Sequence, residues 1–430
     1  MVKTINRMKE ELFEEVKDAP YELPEGWKWV TLKNVAKIIM GQSPPSLTYN
    51  KDGVGIPFYQ GKKEFGEVYL KESSIWCSEP KKLANPGDIL ISVRAPVGDV
   101  NITKNKCAIG RGLAIIRPKN LLSLFYVFYF LKYYKLFWEK KGKGSTFKAI
   151  KKTDLENLLI PLPFKDGKPD FEKQKQIVER IEALFKEIDK AIELRQKAIE
   201  ETRKLFDSVL DRIFREAEKD KKNWKWVKLK DLLASLESGK RPRGGAVENG
   251  IPSIGGEHLN SDGGFNFHKM KYIPEDFYKT LKKGKIQIND ILVVKDGATT
   301  GKVSFVSEEF PYKKAAVNEH IFILRVKNDY IPKYVFWFLF SPAGQKEILK
   351  NFGGAAQGGI NRKFVKNVDI PIPITKNGKL DLQKQRQIAE YLDSIHNKIK
   401  QLIVLQSIQL EKFGQLKESI LNKAFRGELI

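Results

Sequence analysis

The 430 residues carry 77 Lys and Arg against 53 Asp and Glu, a net charge of +24, with only two cysteines, Cys77 and Cys107. Two or three domains are expected at this length, each able to bury a core of its own. Two cysteines exclude a disulfide framework, and residues 1–19, which mix Lys, Arg and Glu, exclude a signal peptide.

The first 22 residues read as a charged arm, amphipathic over 1–19. From Leu23-Pro24-Glu25-Gly26-Trp27 a globule begins with a strand over Lys28–Leu32 and a helical turn leading to the loop Gly41-Gln42-Ser43-Pro44-Pro45. Pro86-Gly87-Asp88 is a turn feeding the strand Ile89–Val93, and Ala108–Ile116 reads as a second strand. The most apolar run, Leu121–Trp138, is broken by Ser123, Lys132 and Lys135 and reads as a buried helix rather than a membrane span. A polar stretch, 141–148, then precedes Ile160-Pro161-Leu162-Pro163, whose prolines end one element before a long helix starts.

That helix is written twice. Between Gln174 and Ala217, Ile177, Ile181, Leu184, Ile188, Ile192, Ile199, Leu205, Val209 and Ile213 recur at threes and fours, which is coiled-coil spacing. Gln385–Phe425 repeats the pattern, and Gln174-Lys175-Gln176-Ile177 returns as Gln385-Arg386-Gln387-Ile388. Ile177/Ile388, Leu210/Leu421 and Phe214/Phe425 all differ by 211 in numbering, so neither helix has gained or lost a residue. Upstream the offset drifts: Trp27/Trp224 differ by 197, Asp88/Asp290 by 202 and Ile160/Ile370 by 210. The helices are fixed in length and the globules are not. The second globule repeats the order of the first, with Ser238-Gly239-Lys240-Arg241-Pro242-Arg243 in place of the first Gly-Gln-Ser-Pro loop and 354–363 in place of 142–148. The fold class expected is α+β: two mixed α/β domains, 23–170 and 220–381, joined by two long helices, 171–219 and 382–430, with coiled-coil spacing.

Charge follows this division. Residues 172–219 hold 12 basic and 12 acidic side chains, whereas residues 1–171 hold 29 against 19 and residues 220–382 hold 28 against 17. Two comparably basic lobes on near-neutral stalks point to a polyanion gripped twice.

No catalytic constellation is present. Gly297-Ala298-Thr299-Thr300-Gly301-Lys302-Val303 resembles a phosphate loop but is one residue short between its glycines and ends in Val303 where Ser or Thr must bind magnesium. A methyltransferase motif and a metal-nuclease acidic triplet are both missing: Asp290 is followed by Val293-Val294-Lys295, which lacks the second acid. The four histidines, His258, His268, His320 and His396, are too scattered for zinc, and no metal or cofactor is expected in this chain.

What remains is recognition. Arg and Lys reach guanine O6 and N7, Asn and Gln reach adenine N6 and N7, and lysines meet phosphates. The candidate DNA-binding set is Gln42, Gln60, Lys62, Lys63, Arg94, Arg111, Ser145, Thr146 and Lys148 in the first lobe. In the second it is Arg241, Arg243, Lys295, Asn318, Gln357, Asn361, Arg362 and Lys363.

With these motifs the sequence resembles the specificity subunits of type I restriction-modification systems. The resemblance rests on the Leu-Pro-Glu-Gly-Trp opening, the run from Pro86 to Gly98, Gly144-Ser145-Thr146-Phe147, Ile160-Pro161-Leu162-Pro163 and the glutamine phrase opening each helix. Family members usually have Glu-Gln in that phrase, where this chain has Lys-Gln twice, and the second lobe has Lys295-Asp296-Gly297-Ala298 in place of the Arg-Ala-Pro-Val segment. The resemblance implies two target recognition domains, each reading half of a split site in double-stranded DNA, with the two long helices packed as an antiparallel coiled coil that serves as a ruler. A helix of about 45 residues spans roughly 68 Å, about two turns of B-DNA. It also implies a cytoplasmic subunit without catalysis of its own. Its partners would be two methyltransferase subunits, which bring S-adenosylmethionine, and restriction subunits that use ATP and Mg. The competing readings are a solo methyltransferase or nuclease with an unfamiliar site, and a nucleic-acid-binding coiled-coil scaffold that stacks bases on the aromatic run Phe125–Phe137.

Overall fold

The protein is described by a computed structural model covering residues 19–142, 149–354 and 358–430. The charged arm expected over the first residues lies outside them, except for its end. The chain divides into two compact units, Met1–Arg195 with Ile408–Ile430, and Gln196–Ser407. Four helices carry most of the packing: α1 (Leu124–Gly142), α2 (Phe171–Lys219), α3 (Pro332–Phe340) and α4 (Leu382–Arg426).

In the first unit β1 (Trp27–Thr31) leads through a helical turn, Leu32–Val35, to β2 (Ala36–Met40). There follow β3 (Ile56–Tyr59), β4 (Ile89–Ser92), β5 (Val100–Ile102), β6 (Cys107–Ile109), β7 (Leu113–Pro118) and β8 (Leu159–Lys165). A four-stranded sheet has the order β2-β7-β4-β5, β1 pairs with β8, and β3 runs parallel to β6 in a second sheet. Two sequence expectations are corrected here. The segment before Gly41 is a strand, β2, because Ile39 and Met40 pair with Ile115 and Ala114 of β7. The single strand expected over Ala108–Ile116 is two, broken at Gly110-Arg111-Gly112, so each half joins a different sheet.

The second unit repeats the plan with β9 (Trp224–Lys228), β10 (Leu233–Ser238), β11 (Ile251–Ile254), β12 (Ile291–Val294), β13 (Val303–Phe305), β14 (Ile321–Val326) and β15 (Asp369–Pro373). Its four-stranded sheet has the order β10-β14-β12-β13, and β9 pairs with β15. The glycine-rich segment before Val303 is the connection between β12 and β13, and the Lys302 ammonium donates to the Leu259 carbonyl at 3.0 Å.

The aromatic helices are core. Tyr126, Phe128 and Phe130 of α1 are buried with Ile177, Ile181 and Phe425, and Tyr334, Phe336 and Trp337 of α3 with Phe206, Leu210 and Phe214. The Tyr126 hydroxyl donates to the Pro161 carbonyl at 2.7 Å, and Tyr334 makes the same bond to Pro371, so in each unit a proline-rich strand is tied to the aromatic helix. Base stacking on these buried rings is therefore excluded, although Phe137 at the end of the run is 49% exposed.

The long helices meet their partners within each unit. In the first, Ile177, Ile181 and Ile188 of α2 share a core with Ile420, Leu421 and Phe425 of α4, and Lys417 pairs with Asp189 at 2.5 Å. In the second, Phe206, Leu210 and Phe214 of α2 share a core with Ile388, Leu392 and Ile399 of α4, and Phe206 lies 5.1 Å from the His396 ring. As numbering rises along α2 it falls along α4, which is antiparallel packing. Each helix starts on an aspartate whose carboxylate accepts from a first-turn amide: Asp170 from Lys173 and Asp381 from Lys384, at 2.9 and 2.8 Å. The repeated glutamine has a second task. Gln174 is fully buried and accepts from the Ser123 amide at 3.0 Å, while Gln385, equally buried, accepts from the Ile331 amide at 3.1 Å. Each satisfies a backbone donor just before an aromatic helix and locks it to the long one.

Candidate nucleic-acid interface

In the first unit the candidate residues converge on one sheet edge, and glycines make the convergence possible. A Cβ on Gly41 would lie 2.1 Å from the Gly110 carbonyl oxygen, and one on Gly112 would lie 2.3 Å from that of Gln60. Three chain segments thus touch backbone to backbone. The Gln42 amide donates to the Ile109 carbonyl at 3.3 Å, and the Arg111 amide to the Ser43 hydroxyl at 3.3 Å. Gln42, Gln60, Lys63, Arg94 and Arg111 are all exposed there. Arg94 bridges to Ala149, which brings the chain back beside this edge after the segment carrying Ser145, Thr146 and Lys148. Those three residues lie outside the described ones. Lys62 is not a free cation: it and Lys135 both bind Asp99, the latter at 2.6 Å. Burial opposes ionisation of Asp99, but the two lysines outweigh it and hold the carboxyl below its usual range.

The second unit builds the same edge from different side chains. A Cβ on Gly239 would lie 1.8 Å from the Val317 carbonyl oxygen, so the 239–243 segment lies against the 317–320 segment. Arg241, Arg243, Asn361, Arg362 and Lys363 are exposed, and Lys295 and Asn318 are partly so; Gln357 lies outside the described residues. Several are already engaged. Arg362 donates to the Leu236 carbonyl at 2.6 Å, the Asn318 side-chain oxygen accepts from the His320 amide at 3.0 Å, and that of Asn361 from the Lys363 amide at 2.8 Å. A cleft of about 660 Å³ opens at this edge, lined by Lys240, Lys283, Lys295, Asp296, Asn361 and Arg362 among others. Four cations face one carboxylate, which suits a phosphate backbone. Lys240 and Lys283 escaped the sequence reading because the cleft joins residues more than a hundred positions apart. Asp296 and Glu319 escaped it because acids on a polyanion-binding surface are not sought.

The acids and thiols that a catalytic centre would draw on serve the fold instead. Asp290, fully buried, forms a two-point ion pair with Arg325 at 2.8 and 2.9 Å, and Asp88 does the same with Arg117. Cys77 and Cys107 are buried thiols, and burial together with Asp88 pushes Cys107 up to about 12. Among the described residues no cluster of three His, Cys, Asp or Glu could hold a metal, and no helix is long and apolar enough to cross a membrane.

All four histidines fall in the second unit, and two of them make its stability sensitive to acid. Burial pushes His396 and His258 below the ordinary histidine value; His396 faces Asp262, Lys400, Lys333 and Asp393, and His258 faces Glu257 and Lys271. The unfolded chain takes up these protons below about pH 6.5 while the folded chain does not. Stability is therefore full above that pH and falls as pH drops toward the depressed folded values. Thermal unfolding followed between pH 7.5 and pH 5.5 should show this loss, and His396→Phe should flatten it; an unchanged slope would refute the assignment.

A duplicated α+β chain with two basic, glycine-built edges and paired long helices belongs to the class of tandem nucleic-acid-recognition proteins. The sequence profile of the type I restriction modification DNA specificity domain matches residues 24–201 and again 221–411. The chain belongs to that family. It is 24% identical over 441 residues to the type I restriction enzyme MjaVIII specificity subunit of Methanocaldococcus jannaschii, covering 100% of this chain and 98% of that one. It is 23% identical to the EcoBI specificity subunit of Escherichia coli, covering 99% and 91%. A stronger match, 48% identity to the putative MjaX specificity subunit of M. jannaschii, is confined to 193 residues, 44% of this chain and 43% of that one. In fold it resembles a chain from a structure on complex assembly and conformational transition of the type I R-M system, with a TM-score of 0.68 at 20% identity over 95% of this chain and 100% of that one. It also resembles the HsdS subunit of Thermoanaerobacter tengcongensis, with a TM-score of 0.51 at 20% identity over 96% of this chain and 100% of that one.

Proposed function

We propose that the chain works in the cytoplasm as the address of a type I restriction-modification complex, the domain at 23–170 reading one half of a split DNA site and that at 220–381 the other. The observation that carries this reading is the repeated edge: in each unit a glycine contact sets a polar or basic loop against the turn before the sheet's second strand, Arg111 on one and Arg241 on the other. The excess of base over acid, 29 against 19 in residues 1–171 and 28 against 17 in residues 220–382, supports two similar grips. Bases would be read by the exposed Arg, Gln and Asn side chains, and phosphates held by the lysines. The long helices, 171–219 and 382–430, would set the gap between half-sites and receive two methyltransferase subunits, with restriction subunits completing the complex.

The test is a titration of the full chain, alone and with its modification subunit, against random and selected duplexes. Selected duplexes should bind about a thousandfold or more tighter, and affinity should fall steeply with salt. Equal affinity for every duplex would end the proposal, as would turnover of methyl donor or DNA by the chain alone.

A further inference from the structure

The two edges are built alike but carry their charges on opposite sides. Met40 faces Ala114 in the first unit as Ser238 faces Phe322 in the second, which places Arg241 where Ser43 stands and Glu319 where Arg111 stands. The Val93 amide donates to the Gly112 carbonyl as the Lys295 amide donates to that of His320, both at 2.9 Å, so His320 stands where Gly112 does. Arg94 bridges to Ala149 as Asp296 bridges to Gly359, so Asp296 stands where Arg94 does. At both positions where the first unit has an exposed arginine the second has a carboxylate, and in both cases a nitrogen-bearing side chain, Arg241 or His320, has appeared on the residue facing it. The exchanged groups are paired. Arg241 Nε lies 3.2 Å from Glu319 Oε1, and His320 Nδ1 is bonded to Asp296.

Unrelated surface substitutions would not place each new hydrogen-bonding partner on the carboxylate that replaced an arginine. Nor does stability account for the pairing: Arg241 is 66% exposed, and ion pairs so open contribute little. A carboxylate beside an exposed arginine does restrict where its guanidinium points. The second oxygen of Glu319 is buried and has no hydrogen-bond partner among the described residues, so this carboxylate is aimed inward and is not itself a contact for DNA. In the first unit Arg94 and Arg111 have no side-chain hydrogen bond or ion pair among the described residues, and they point out unaided.

We infer that Arg241 is a base-reading side chain of the second lobe, directed at a guanine in its half-site, and that Glu319 is its positioning residue. The two lobes therefore read from opposite strands of the same edge: the first from the turn at 110–112 and the end of β4, the second from the loop at 239–243. Guanine is the base whose O6 and N7 match a guanidinium held in one orientation. This inference rests on the DNA-recognition reading proposed above.

The experiment is selection from a randomised duplex library with the full chain as wild type, Arg241→Ala, Glu319→Gln and Arg111→Ala. Arg241→Ala should lower preference for one G·C pair, in one half-site only, by about ten- to a hundredfold. Glu319→Gln should relax the same pair by a smaller factor with little change at other positions, and Arg111→Ala should act in the other half-site. If Arg241→Ala weakens all sequences equally, Arg241 is a phosphate contact and the inference falls while the recognition proposal stands. If Glu319→Gln leaves base preference unchanged, its positioning role is overturned. A wild type that selects no sequence removes the proposed function and the inference with it. Thermal unfolding of each variant, expected to match wild type, separates reading from folding.

Discussion

Removing one heptad from each long helix, residues 193–199 and 402–408, is expected to shorten the gap between the half-sites by about three base pairs while the bases read at either end stay the same. Seven residues of α-helix rise about 10 Å, and B-DNA advances about 3.4 Å per pair. The expectation rests on the constant offset of 211 between the helices beside offsets of 197 to 210 in the lobes. A segment that only filled space would have drifted as the lobes have. The heptads chosen include Leu194, Leu402, Val404 and Leu405, which are exposed, and their loss removes no fully buried core residue, only the partly buried Ile403 at the margin of the second unit's core. On duplexes with the original gap the shortened chain should bind one half-site at a time and lose several orders of magnitude of affinity. Selection should recover it on duplexes shortened by about three pairs. Altered bases at an unaltered gap would refute the ruler.

The second large effect is on stability. Arg325→Ala should cost about 3–5 kcal/mol, read as a lower denaturant midpoint for the second unit. Its guanidinium holds Asp290 at two points and also reaches Glu237 at 2.9 Å and the Lys285 carbonyl at 3.2 Å. Asp290 is fully buried and Glu237 nearly so. Without the arginine both carboxylates stay inside the protein with no counter-charge. Burial already pushes Asp290 above the usual carboxylate range even with Arg325 in place. Arg117→Ala in the first unit removes the partner of one buried carboxylate, Asp88, and should cost less. Equal losses would mean that Glu237 plays no part.

Much of this architecture was legible because it is local. The spacing of Ile177, Ile181, Leu184 and Ile188 announces a helix whatever lies nearby, and the 211-residue offset identifies its counterpart. The aromatic run read as a buried helix is α1, with Tyr126 and Phe128 at zero exposure. What escaped was non-local. The strand at Ala36–Met40 exists because it pairs with residues more than 70 positions later, and the break at Gly110-Arg111-Gly112 exists because its flanks join different sheets. The glutamine phrase was readable as a repeat, but not as the contact that locks α1 and α3 to the long helices.

By itself, then, the sequence determined the duplication, the two long helices of matched length, the near-neutral stalks and the basic lobes, since each is a matter of period, offset or charge count along one line. Only the tertiary structure decided which cations are free and which are spent: Lys62 on Asp99, Arg362 on a carbonyl, Arg241 on Glu319. Periodicity is carried by neighbours within a turn or two. A side chain's freedom is set by whatever distant segment the fold lays against it.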